Sequence, residues 1–272
     1  MLFIVVSTVF VVVANVLTFV TAKSEFDEQS ITLYYALVAA VLAAHYVLLR
    51  WIDGARPWSF VGLGRDAIRP SVIVVGLLLG AVAIGFPSVL LLLSHELRII
   101  PAAPGSWWIS AGRMTLMLLP AALFEELFVR GYIFATLRDT FGWKAALVVT
   151  SCVFGLLHLR NPGAGPESTL VVIIAGFFLG MILLVTNSLY AAWMAHFAWN
   201  WVMAALMHTA VSGLGLTTPN YQIVDAGPDW LTGGAWGPEG GLAAGVSMLG
   251  FLFYLVGRYF NTSASTPSAR TP

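Results

Sequence analysis

The apolar positions of this chain fall into eight runs: Leu2–Ala22, Ile31–Ile52, Ser71–Ser94, Trp107–Leu137, Trp143–Leu159, Thr169–Val185, Leu189–Val211 and Leu242–Phe260. Each is close to or above the length of about 20 residues that a helix needs to cross the hydrocarbon core. No alternation of apolar and polar positions is sustained along them. Helices are therefore the expected spanning element, because lipid leaves no water to satisfy an open strand edge. The pattern predicts an all-α, polytopic membrane protein of about eight transmembrane helices, with sheet content near zero. It also predicts one transmembrane domain over residues 1–260 and a Ser/Thr/Pro-rich tail over 261–272 that is disordered and cytoplasmic. Val20-Thr21-Ala22 loosely fits a signal-peptide cleavage site, but no basic region precedes the apolar run. Leu2–Ala22 is accordingly read as a retained first span.

The polar residues between the runs set an orientation. Eight spans put Arg50, Arg56, Arg65, Arg69, Arg138, Lys144, Arg258 and Arg270 on one side, and Lys23, Arg98 and Arg160 with Asp225, Asp229 and Glu239 on the other. The positive-inside rule then makes both termini cytoplasmic, in a multi-pass protein of the cell membrane. Asp53–Pro70 mixes charges with Trp58, Phe60 and Val61, and reads either as a segment lying on the membrane surface or as a plain loop. Pro87 and Pro120 predict kinks. Gly76-x3-Gly80 and Gly176-x3-Gly180 predict close helix packing. Ser212–Gly241, rich in Gly and Pro, reads as a mobile external connector with Trp230 and Trp236 at the interface.

Composition narrows the function. Of 272 residues, 59% are hydrophobic and 10% charged, against about 25% charged in soluble domains. Zero net charge gives no field for nucleic acid. A single cysteine, Cys152, excludes an intramolecular disulfide and a cysteine metal cage, and reads as a small core residue.

Against this background the charges in Phe124-Glu125-Glu126-Leu127-Phe128-Val129-Arg130 stand out. A charge at bilayer depth costs on the order of 3 kcal/mol or more. Glu126 and Arg130, at i and i+4, share a helix face and can pair; Glu125 points elsewhere. Other polar groups in apolar context are His158, His196 and Asn200. Glu125 lies about 20 Å from the inner end of its span and His158 about 22 Å along the next, so the two meet at one level. His196 and Asn200 sit about 10 and 17 Å past Leu189 and share one face. Phe154 sits one turn from His158 as a wall. Groups that lipid would not tolerate are expected to converge on Glu125. Desolvation makes a carboxylate a better proton acceptor. A neighbouring imidazole can share a water with it, while a second imidazole and an amide donate to an oxyanion. Peptide hydrolysis within the membrane is then chemically sensible. His45, His95 and His208 lack such a pattern and read as structural. Trp193, Trp199 and Trp201 read as packing between helices or lining a groove.

Glu125-Glu126-x3-Arg130, Phe154-x3-His158 and His196-x3-Asn200 resemble the three motifs of the CPBP family, the CAAX-protease and bacteriocin-processing intramembrane proteases, also called Abi. Arg130-Gly131, Gly142-Trp143-x-Ala145 and Phe154-Gly155-x2-His158-Leu159 strengthen the likeness, which covers about residues 118–206. The resemblance implies a glutamic endopeptidase acting on a membrane-associated peptide or protein in the lipid bilayer. It implies Glu125 and His158 as the water-activating pair, His196 and Asn200 as the oxyanion hole, and Glu126 and Arg130 as structural partners beside the site. The eukaryotic branch trims prenylated CAAX tails; bacterial branches process leader or sorting peptides or confer bacteriocin immunity, and a short chain without an organellar signal leans towards the bacterial group. No cofactor is required by this reading. The alternatives are a zinc-dependent protease with Glu125, His158 and His196 as ligands, and a non-enzymatic immunity or regulatory protein or transporter.

Overall fold

The computed structural model describes residues 28–216 and 218–265. The Leu2–Ala22 run therefore lies outside the described residues. Local signals explain most boundaries. Helix α1, Glu28–Val47, continues as a wider π turn, Leu48–Ile52. Pro70 opens α2, Pro70–Leu93, since proline lacks the N–H that a first turn leaves unused. Ser106 caps α3, Trp107–Arg130, by accepting from the Ile109 N–H. Then follow α4 (Tyr132–Phe141), α5 (Trp143–Leu157), a 3-10 turn (His158–Arg160), α6 (Pro166–Thr186) and α7 (Leu189–Trp201). A π turn, Val202–Met207, extends α7, and α9, Leu242–Ser265, closes the described chain. That last helix runs into the segment 261–272 expected to be disordered.

The expected fourth span, Trp107–Leu137, is broken in two. The break falls at Gly131, where any Cβ would run into the His45 ring and the Leu127 carbonyl. His45 holds the corner: Nε2 accepts the Tyr132 N–H at 3.0 Å while Nδ1 donates to the Val41 carbonyl at 2.8 Å. This satisfies an amide that the broken helix would otherwise leave orphaned.

Among the described residues, Ile31–Ile52, Pro70–Leu93, Trp143–Arg160, Pro166–Thr186 and Leu242–Asn261 are long and apolar enough to cross a membrane. The chain is thus mostly helical, with five such segments. Two other helices, α3 and α7, fall outside this set. The first carries charges, and the regular part of the second is only 13 residues long.

Helix α7 is the centre of the bundle, packed on α2, α3 and α6. Ala191, Ala192 and Ala195 on it are fully buried. Gly76 and Gly80 of α2 face Ala191 and Ala195 so closely that a Cβ on either would strike a backbone carbonyl. The same small-residue logic joins α5 to α6, where Gly176 packs on Ser151 and Gly180 on Leu147. Gly80→Val is expected to destabilise the bundle by about 3 kcal/mol or more, since neither helix backbone can relax. Thermal unfolding in detergent measures this; an unchanged midpoint contradicts the packing argument. Proline 87 cannot bond the Ala83 carbonyl one turn back, and Ser247 of α9 donates to that carbonyl at 2.8 Å.

Sheet content is low, as expected, but not nil: β1 (Leu97–Pro101) pairs antiparallel with β2 (Tyr221–Asp225), Ile99 opposite Ile223. The partners lie far apart in sequence, so no hairpin signal announced them. The sheet ties the α2–α3 connection to the segment 212–241, which is folded and not a loose connector. This segment carries β2, the helical turn α8 (Asp229–Thr232) and two 3-10 turns. Trp230 is exposed, as expected at an interface, but Trp236 is buried.

The Asp53–Pro70 segment is neither a continuous surface helix nor a free loop. Two 3-10 turns, Trp58–Val61 and Arg65–Ala67, tuck it beneath the bundle. The Gly62 carbonyl accepts the Leu189 N–H and the Ala67 carbonyl accepts from Ser188 Oγ. Arg138 donates to the Phe60 carbonyl, and Arg56 pairs with Asp139 at 2.9 Å.

Candidate active site

Helix α3 presents Glu125 and Glu126 on adjacent faces, and the two carboxylates meet different partners. Glu126 and Arg130 are fully buried. Arg130 Nη1 donates to Glu126 Oε1 at 2.7 Å, as the i,i+4 spacing predicts. Nη2 donates to the Gly176 carbonyl at 3.3 Å, bonding α3 to α6. The guanidinium also lies 4.1 Å over the Phe154 ring, a desolvated cation–π contact worth about 2 kcal/mol.

The sequence did not reveal that Glu126 has a second partner. His196 Nδ1 donates to the same Oε1 at 2.9 Å. A carboxylate accepts only, so this bond fixes the proton on Nδ1 and turns Nε2 towards Glu125. His158 is oriented by the same principle. Its Nδ1 donates to the Phe154 carbonyl at 2.8 Å, one turn back, and its Nε2 also faces Glu125. Phe154 stands between the two rings, 4.8 Å from His158 and 5.8 Å from His196.

Both imidazoles converge on one atom. Glu125 Oε2 lies 3.7 Å from His158 Nε2 and 3.9 Å from His196 Nε2. It is buried and takes no hydrogen bond from the described residues, although the Glu125 side chain as a whole is 31% exposed. The gaps are too long for direct hydrogen bonds. A water about 2.8 Å from both ends closes a triangle over either gap. Asn200, one turn beyond His196 on α7, lines a cavity shared with His158, His196 and Phe154. The seven residues singled out from the sequence (Glu125, Glu126, Arg130, Phe154, His158, His196 and Asn200) therefore lie together.

The three residues considered as zinc ligands, Glu125, His158 and His196, lie slightly farther apart than ligands of one bound ion would. Two ligands about 2.1 Å from a tetrahedral zinc lie roughly 3.4 Å apart, closer than either gap at Glu125. No group of three His, Cys, Asp or Glu side chains among the described residues is placed to hold a metal ion. His45 and His208 are structural, the latter stacking on Tyr221 at 4.1 Å and donating from Nδ1 to its carbonyl. Three tryptophans bond α7 and the turn after it to α3. Trp193 Nε1 donates to the Leu119 carbonyl, Trp201 Nε1 to Thr115 Oγ1, and the Ala205 carbonyl accepts from Trp107 Nε1.

The sequence reading missed Glu239 and Ser212, which line the same cavity. Both belong to the Gly/Pro-rich segment, where no helical period places a side chain.

Residues 106–202 match the family described as type II CAAX prenyl endopeptidase Rce1-like. The matched segment contains all three motifs and is similar to that family over about a third of the chain. No curated protein sequence and no solved structure matches the chain.

Proposed function

We propose that this chain is an intramembrane endopeptidase of glutamic type, hydrolysing a peptide bond of a membrane-associated peptide or protein. The observation that carries the proposal is Glu125 Oε2, buried without a hydrogen bond from the described residues and flanked by two oriented imidazoles. A buried acceptor of this kind suits a reacting water better than a structural bond. Glu125 takes one proton of the water as the oxygen adds to the carbonyl carbon. His158, with its proton held on Nδ1 by the Phe154 carbonyl, accepts the other O–H at Nε2 and aims the water. The carbonyl electron pair moves onto oxygen, where the Asn200 amide donates. His196 Nε2 donates there as well when its ring carries both protons, with Glu126 taking the other. As the oxyanion collapses, the C–N bond breaks and Glu125 returns its proton to the leaving nitrogen. The products are a carboxylic acid and an amine.

The family description favours a prenylated CAAX peptide as the first substrate to try. Positive charge on the side of Arg56, Arg138 and Lys144 supports a cytoplasmic placement of that side and of both termini. Purified chain in proteoliposomes, with an internally quenched farnesylated CAAX peptide and the same peptide unprenylated, tests the reading. Hydrolysis of either peptide that persists after exhaustive chelation is the expected result. Failure to cleave either, joined to an unaltered cellular peptide profile in the absence of the protein, rejects proteolysis and favours a non-enzymatic role. Loss of activity on chelation, restored by zinc, rejects the glutamic mechanism.

A further inference from the structure

A carboxylate outside the three motifs, Glu239, lines the cavity beside His158, His196 and Asn200. Glu239 sits in the 3-10 turn Pro238–Gly240 and is buried. Its Oε2 accepts from Trp199 Nε1 at 2.6 Å, and its Oε1 accepts from the Ser212 N–H and, at 2.8 Å, from Ser212 Oγ. Both oxygens are thus engaged by donors from two different segments, a geometry that suits holding them together.

What it holds are the two helix ends that carry the site. Trp199 lies between His196 and Asn200 on the last regular turn of α7. Immediately beyond, the helix widens into the π turn Val202–Met207, where the ordinary i→i−4 bonds no longer fix its rotation. A side-chain tether at Trp199 supplies that restraint. Ser212 adopts a left-handed backbone, φ 50°, which a non-glycine residue keeps only when its surroundings require it. The Ser212 carbonyl accepts from Asn161 Nδ2 at 3.0 Å, and Asn161 N–H donates to the His158 carbonyl at 3.0 Å. One unbroken path thus runs from Trp199 through Glu239, Ser212 and Asn161 to His158. The loop has little room to slide. Gly237 sits at φ 102°, and a Cβ there would run into the Ala210 carbonyl.

We infer that Glu239 is a positioning residue, fixing the His196–Asn200 turn of α7 and the turn that follows His158 at one separation through Trp199 and Ser212. The inference rests on the hydrolytic reading of the site.

Glu239→Gln, Trp199→Phe and the double variant of the full chain, in proteoliposomes with the farnesylated CAAX probe, test it. Each single change is expected to lower kcat by about 10- to 100-fold with KM within about twofold, the scale of a small misplacement of catalytic groups. The double variant should fall no further than the worse single, because both changes break one link. Unchanged kcat, a loss confined to KM, or losses that multiply in the double variant overturn the proposal. Should Glu239→Gln fail to fold, Trp199→Phe, which removes only the Oε2 donor, is read by the same criteria. Limited proteolysis supplies a readout without substrate. Glu239→Gln should speed nicking within 212–241 by about fivefold or more, since a freed loop opens locally. If wild type cleaves no probe, nicking alone decides the tether: faster nicking upholds it and unchanged nicking overturns it, while the cellular peptide profile decides the hydrolytic reading separately.

Discussion

Glu125→Gln is expected to lower kcat by about 10²–10⁴-fold, the usual worth of a general base, while the protein folds and inserts as before. Glutamine keeps the shape of the side chain and its contacts but cannot take a proton from water. Glu125 forms no hydrogen bond through Oε2 and is partly exposed, so the change strands no buried partner. The loss should fall on kcat, because the proposed role of Glu125 is to take a proton from the attacking water and not to hold the substrate. Single-turnover kinetics with the CAAX probe, paired with thermal unfolding of both proteins, measures it. Activity within a factor of two of wild type would remove Glu125 from the chemistry.

Arg130→Met should instead act on stability, lowering it by about 3–5 kcal/mol, because it leaves Glu126 as an uncompensated charge in a fully buried position. Exchanging both partners, Glu126→Gln with Arg130→Met, should recover most of that loss, since replacing a whole buried pair with neutral groups is often nearly neutral. Activity should not return with stability. The double variant replaces the acceptor-only carboxylate at His196 Nδ1 with an amide that can either accept from that nitrogen or donate to it, so the tautomer of the second imidazole is no longer fixed. Denaturation midpoints and kcat, measured on the same preparations, separate the two effects. A double variant as unstable as Arg130→Met, or one that is stable and fully active, contradicts the assignment. The first outcome denies that the buried charge is the cost; the second denies that Glu126 orients His196.

Much of this site was legible before any coordinates. The i,i+4 spacing put Glu126 on Arg130; His158 does lie near Glu125, but the depth that suggested it was counted from Arg138 through a span that breaks at Gly131. A helix converts sequence separation into height and angle, so residues on regular helices can be placed by arithmetic. That arithmetic stops where the helix stops. Gly131 splits one expected span because the His45 ring occupies the space of its Cβ, a contact between residues far apart in sequence. The pairing of Ile99 with Ile223 and the burial of Trp236 have the same origin.

The sequence by itself determined the mostly helical architecture with its apolar segments, the seven polar and aromatic residues that lie together around Glu125, and the similarity of residues 106–202 to the Rce1-like family. These follow from local patterns: apolar runs as long as a bilayer is thick, and charges too costly to leave unpaired in lipid. Only the tertiary structure decided that Glu126 serves Arg130 and His196 at once, that both imidazoles turn Nε2 to a single oxygen of Glu125, and that Glu239 from a folded segment lines the cavity beside His158, His196 and Asn200. Those facts depend on side-chain direction and on contacts between distant stretches of chain. Spacing along one helix fixes neither, and packing fixes both.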